Sequence, residues 1–162
     1  MAGGPILACS ALPTDTAGRL FPSIYAGAGG NASSHDVGLG VAASISADSV
    51  WELRFPMPPA IPTGTLKLRI LSLAAASTGA CKFQVSDATV AAGASPSAAT
   101  LTAETASTAT WAAGDSDKYK ETKVTLTASP AANDMLVVSL KFQTSGYTLA
   151  VPSTHIVTII WE

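Results

Sequence analysis

Charge is the scarcest property of this chain: 9 Lys and Arg and 11 Asp and Glu make up only 12% of 162 residues, about half the usual quarter. A net charge of −2 offers no basic surface for a phosphate backbone, so nucleic acid is not an expected partner. The two cysteines, Cys9 and Cys81, form no CxxC and no close pair, and two free thiols are a simpler reading than a disulfide. Histidine is as rare: His35 and His155 stand far apart, and neither sits in a cluster with metal-ligand spacing. No window approaches the roughly 18 apolar residues of a membrane helix, so no membrane partner is expected either. A long amphipathic helix is missing too, because the alanine-rich stretches carry no i, i+3, i+4 apolar stripe.

Hydrophobic residues reach 48% and mean hydropathy is +0.35, although much of this is alanine. At 16.3 kDa the chain is one domain with an appendage, large enough for a real core. A weakly charged surface rich in Ala, Ser, Thr and Gly suits a protein that works against neighbours.

The chain is organised around Ser49 to Leu73. Trp51, Leu53, Phe55 and Met57 alternate with Glu52 and Arg54, and Leu66, Leu68 and Ile70 alternate with Lys67 and Arg69. Side chains of a strand point to opposite faces with period two, so each half predicts a strand with one dry face. The intervening proline-rich bend ends at Gly64, a residue that tolerates the backbone angles of a turn. Two such strands require a second layer over the dry face.

Further strands are predicted at Ala80 to Ser86, Tyr119 to Ala128, Asn133 to Phe142 and Thr154 to Trp161. In the second of these Lys120, Thr122, Val124 and Leu126 share a side, and in the third Leu136, Val138 and Leu140 do. The last is apolar on both faces and reads as a central strand. Asp87 to Asp117 reads as loops with one edge strand near Ala99 to Thr105. Residues 1–47 read as an extended, poorly structured N-terminal arm with a weak strand at Gly38 to Ser46, and residues 48–162 as the folded domain. The fold class is therefore all-β, an antiparallel two-sheet sandwich of jelly-roll type. Leu20, Phe21, Ile24 and Tyr25 form an apolar knot in the poor segment and are candidate contacts to a partner or a second subunit.

Catalytic chemistry is not evident. No GxSxG elbow occurs, and His155 at the head of a strand is favoured as a partly buried structural histidine over a ligand. Asp115 and Asp117 lack the further ligands of a calcium loop and read as a solvated turn. Gly27 to Gly30 lacks the lysine and preceding strand of a phosphate loop. Asn31-Ala32-Ser33 is a formal glycosylation acceptor with no secretion signal to give it meaning. Ile6 to Cys9 resembles a lipoprotein cleavage box without the basic residues and apolar core that should precede it. No cofactor, metal or catalytic residue is expected. Trp51 and Trp161 read as core. Trp111, among small residues, is a candidate loop contact that could stack on a sugar, with a lid over the core the favoured alternative.

The run from Trp51 to Val85 resembles a β-sandwich domain of virion proteins of tailed bacteriophages. The matching elements are Phe55 to Pro58, Gly64 to Ile70, and Ala76 to Gly79 leading to Phe83; the closing strands Asn133 to Phe142 and His155 to Glu162 are similar as well. The resemblance covers about Asp48 to Glu162. Phe83 stands where several members have Trp, which implies a different core detail. It implies a jelly-roll capsid decoration, or cement, protein on the outer shell of the head, made in the host cytoplasm. Its partners would be the major capsid protein and itself as a homotrimer. The alternative is a glycan- or receptor-binding module of a phage fibre or tail.

Overall fold

The computed structural model describes residues 22–24, 37–41, 45, 48–75, 78–151 and 153–162. Ten strands follow in chain order: β1 Pro22–Ile24, β2 Val37–Val41, β3 Ser49–Pro56, β4 Leu66–Ala74, β5 Gly79–Val90, β6 Thr102–Ala103, β7 Ser107–Trp111, β8 Lys120–Thr125, β9 Met135–Phe142 and β10 Ser153–Trp161. They form two antiparallel sheets. The first has the order β1-β2-β10-β4-β8, and the second runs β3-β9-β5-β6, with β7 also paired to β5. From β2 to β5, and again from β7 to β10, each strand lies in the other sheet from the one before it. Two interleaved Greek keys of this kind make a jelly roll.

The alternation in the sequence is what the fold uses. Trp51, Leu53, Phe55 and Met57 are all buried, as are Leu66, Leu68 and Ile70, while Glu52 and Arg54 face solvent and pair with each other at 2.6 Å. Leu136, Val138, Leu140 and Phe142 of β9, which lies beside β3 in the second sheet, join them in one core cluster. Burying a side chain of this size is worth about 1.5–3 kcal/mol, so these faces supply the main drive for stacking the two sheets. At the bend, Gly64 adopts φ +127, and a Cβ there would meet the Glu162 backbone at 3.1 Å. Thr65 and Glu162 exchange backbone hydrogen bonds of 2.7 and 3.1 Å beside it.

Two regions differ from the sequence expectation. First, Asp87 to Asp117 is less loop-like than its composition predicts. β5 runs on to Val90, the short edge strand is Thr102–Ala103, and β7 adds Ser107–Trp111 against the first half of β5. Backbone pairing to an existing edge needs no apolar run, and only Ala109 and Trp111 turn inward from β7. Second, the sheet reaches further into the N-terminal segment than expected: the weak strand expected at Gly38 to Ser46 is β2, which pairs with β10 through Thr154↔Gly40, and β1, which was not expected, pairs with β2. The ladder groups of β10 can be satisfied by any extended backbone, so a glycine-rich sequence serves. Of the apolar knot, Ile24 lies within β1, while Leu20, Phe21 and Tyr25 lie outside the described residues, as do Cys9, His35 and Asn31.

Candidate functional site

Strand alternation gives each sheet an outer face, and the first sheet's is the more distinctive. β4 and β10 turn Leu68, Ile70, Ser72, His155, Val157 and Ile159 inward, where all are buried. The opposite parity sends Leu71, Leu73, Ile156 and Ile160 outward, where they are half-buried. The register aligns them in rows: Leu71 lies between Ile156 and Glu121, Leu73 opposite Thr154, Arg69 between Thr158 and Lys123, and Lys67 between Ile160 and Thr125. Adjacent strands lie about 4.8 Å apart. Gly40 follows Thr154 on the next strand, so that row ends on a residue with no side chain.

Tyr119 immediately precedes β8 and has the parity of exposed Glu121 and Lys123, not of buried Val124. It is 46% exposed and, with Leu101, one of two large apolar residues so open among the described ones. It adjoins the Leu73 end of the face, because the next residue, Lys120, pairs with Ser72. The charged side chains on this face pair with one another. Arg69 Nε meets Glu121 Oε1 at 2.5 Å, Lys67 Nζ meets Glu162 Oε2 at 3.1 Å, and Lys123 Nζ holds Glu162 Oε1. The hydrogen bond from Lys123 holds Glu162 below the usual carboxylate range and Lys123 above the usual amine range. Beside these pairs lie an exposed aromatic ring, an aliphatic strip, and the hydroxyls of Thr154 and Thr158. Such a surface can stack on an apolar ring face and hydrogen-bond its rim.

The other candidates do not converge there. Trp111 is 2% exposed and donates from Nε1 to the Lys118 carbonyl at 3.3 Å. It closes the core from β7, and the loop-contact reading is corrected: a ring packed against the core has no face left for a sugar. Trp51 is fully buried, while Trp161 is half-buried against the core. His155 is 0% exposed, deeper than the partial burial expected. Its Nδ1 meets Ser72 Oγ at 2.8 Å, its Nε2 meets Ser153 Oγ at 2.8 Å, and that hydroxyl lies 3.0 Å from the Tyr147 hydroxyl. Burial pushes His155 down to about 3, so the ring is a neutral structural link at ordinary pH. A serine beside a histidine here has no access to a substrate.

Asp115 accepts hydrogen bonds from the Ala112 amide at 3.0 Å and the Lys120 ammonium at 2.7 Å. The Lys120 hydrogen bond holds its carboxyl below the usual range. Asp117 takes a positive φ of 60, and the pair forms a braced turn. Cys81 is a buried thiol, and burial pushes its pKa up. Among the described residues no group of three His, Cys, Asp or Glu side chains could hold a metal ion.

Tyr119 is not among the sequence candidates, yet its exposure has a signal in the sequence. Read back from Leu126 and Val124, the period of two puts residue 119 on the wet side, and a tyrosine there is unusual.

No family model matches this chain, and no curated protein matches its sequence. Solved structures similar to it include carbohydrate-binding modules and a glycosidase. A family 11 module of a cellulosomal cellulase of Clostridium thermocellum has a TM-score of 0.47 at 10% identity, covering 97% of this chain and 89% of that one. TmCBM61, solved with β-1,4-galactotriose, gives 0.43 at 8% identity, with 94% and 88% covered. An arabinose-bound α-L-arabinofuranosidase, MgGH51, gives 0.42 at 10% identity, covering 98% of this chain and 24% of its own. At such identities the likeness is one of sandwich architecture, and the ligands belong to those proteins.

Proposed function

We propose that this protein is a non-catalytic module that binds a glycan through the outer face of its first sheet, as a receptor-binding part of a phage fibre or tail. The observation that carries the proposal is Tyr119, 46% exposed at the end of a face whose charges pair among themselves. A neutral sugar offers apolar ring faces and hydroxyls, which is the chemistry left open there. The test is binding to a panel of immobilised glycans by the full chain, Tyr119→Ala and Leu101→Ala. Losing a stacked ring, worth about 1 kcal/mol, should weaken a bound glycan about fivefold in Tyr119→Ala and leave Leu101→Ala unchanged. Undiminished binding by Tyr119→Ala, or no glycan bound at all, refutes the assignment.

A second reading, a capsid decoration protein, is favoured by the resemblance of residues 48–162 to virion sandwich domains and by the chain's low charge. Shell binding repeated over many sites turns a weak contact into a large stabilisation. Truncation after residue 21 keeps both β1 and β2. If residues 1–21, with Leu20 and Phe21, carry attachment, the chain lacking them should no longer sediment with capsids; full retention rules those residues out.

A further inference from the structure

The inner face of β5 carries Cys81, Phe83 and Val85, and then, at the next position of the same parity, Asp87. This aspartate is 1% exposed. Its Oδ2 accepts a hydrogen bond from the Ala128 amide at 2.8 Å, while Oδ1 is buried and meets no N–H or hydroxyl donor among the described residues. Glu104, between β6 and β7, accepts on Oε1 from both the Thr127 amide at 2.8 Å and the Thr127 hydroxyl at 2.7 Å. Its own amide donates to the Val85 carbonyl at 2.8 Å, which fixes it beside β5. Glu104 Oε1 and Asp87 Oδ2 thus hold consecutive amides, which sets the two carboxyl groups side by side.

Two carboxylates cannot hydrogen-bond without a proton between them, and two adjacent anions repel, the more so with Asp87 buried. We propose that Asp87 and Glu104 share a single proton and thereby latch the β8–β9 crossover, at Thr127 and Ala128, onto the second sheet. The proton sits on Asp87 Oδ1 and donates to the Glu104 carboxylate. Consecutive amides of the crossover then rest on the two remaining oxygens. Burial raises Asp87 to about 6, and the hydrogen bond with Glu104 adds to that rise. Partial burial would raise Glu104 as well, but hydrogen bonds from Thr127 and Asp87 outweigh it and hold its carboxyl below the usual range.

The elements around Asp87 are β9 through Val138, β6 through Thr102, the crossover through Ala128, and the segment bearing Glu104. Among the described residues only Glu104 brings a titratable group to it. A calcium ion is a poorer occupant than a proton, since it seeks six to eight oxygens, in the usual range for that ion.

The sign follows from the direction of the shift. A raised carboxyl stabilises the native state fully below its unfolded value of 3.8 and loses that contribution as pH rises through about 6. From pH 5 to pH 7.5 the latch should therefore open about tenfold more often. His155, buried and neutral, shifts global stability the opposite way over part of this range. The readout is accordingly local: hydrogen exchange at Thr127 and Ala128 in the full chain at pH 5 and 7.5, corrected for the intrinsic rate. Protection should fall about tenfold at the higher pH. Asp87→Asn, whose amide donates without titrating, should abolish the fall. Equal protection at both pH values, the same fall in Asp87→Asn, or restoration at pH 7.5 by millimolar calcium chloride each overturns the proposal. Should the variant not fold, the carboxyl carbon titration of Asp87 in the natural chain decides. A midpoint near 6 supports the shared proton, and one near 3.8 refutes it.

Discussion

Ser72→Ala probes the polar chain buried between the sheets. Ser72 and His155 are both 0% exposed, and the imidazole is held at 2.8 Å on each side by Ser72 and Ser153. A neutral imidazole has one donor and one acceptor. Either direction of donation from Tyr147 through Ser153 and His155 to Ser72 gives each contact one proton. Removing the Ser72 hydroxyl leaves Nδ1 without a partner in a site closed by Phe142, whose ring centroid is 4.6 Å away. An orphaned buried polar atom costs about 1–3 kcal/mol, which for a domain of this size lowers Tm by about 2–12 °C. Urea denaturation should show a lower midpoint with an unchanged slope.

The acid arm follows from the same burial. His155 falls from 6.5 to about 3, so its native site refuses the proton that the unfolded chain accepts. Its stabilisation is complete above 6.5 and is lost as pH falls toward 3, to a ceiling of about 5 kcal/mol. His155→Gln keeps a donor and an acceptor but does not titrate. Relative to the natural chain it should gain about 2–3 kcal/mol on going from pH 7 to pH 4.5. An unchanged midpoint in Ser72→Ala, or wild-type acid sensitivity in His155→Gln, would refute the reasoning.

Three further outcomes are expected. Leu140→Ala, at a fully buried position, should cost about 2–5 kcal/mol in urea denaturation, because the stacked sheets cannot collapse into the void. Gly146→Ala should destabilise by about 1–3 kcal/mol in the same assay, since its Cβ would lie 2.6 Å from Lys82 Cβ and a stem atom cannot swing away. Lys123→Ala should leave the denaturation midpoint where it is, as its partner Glu162 keeps Lys67 at 3.1 Å and exposed pairs are screened.

The sequence by itself determined which residues form the core. Wherever one face of a strand must be dry and the other wet, period two is written into the residues, as in Trp51 to Met57, Leu66 to Ile70 and Leu136 to Leu140. The all-β class follows from the same pattern, and the central position of β10 from its apolar residues on both faces. Tertiary structure alone decided the rest. β7 exists because the edge of β5 was there to pair with, and β2 and β6, expected only as a weak strand at Gly38 to Ser46 and an edge strand near Ala99 to Thr105, take their bounds from β10 and β5; none of the three depends on a hydrophobic run. Trp111 became core because β7 turned it inward. Asp87 and Glu104, like Ser72 and His155, met only when strands far apart in sequence were brought side by side. The outer face became a surface of Tyr119, Leu73 and Thr154 for the same reason: a strand's own residues fix which way each side chain points, but only the register across strands fixes what stands beside it.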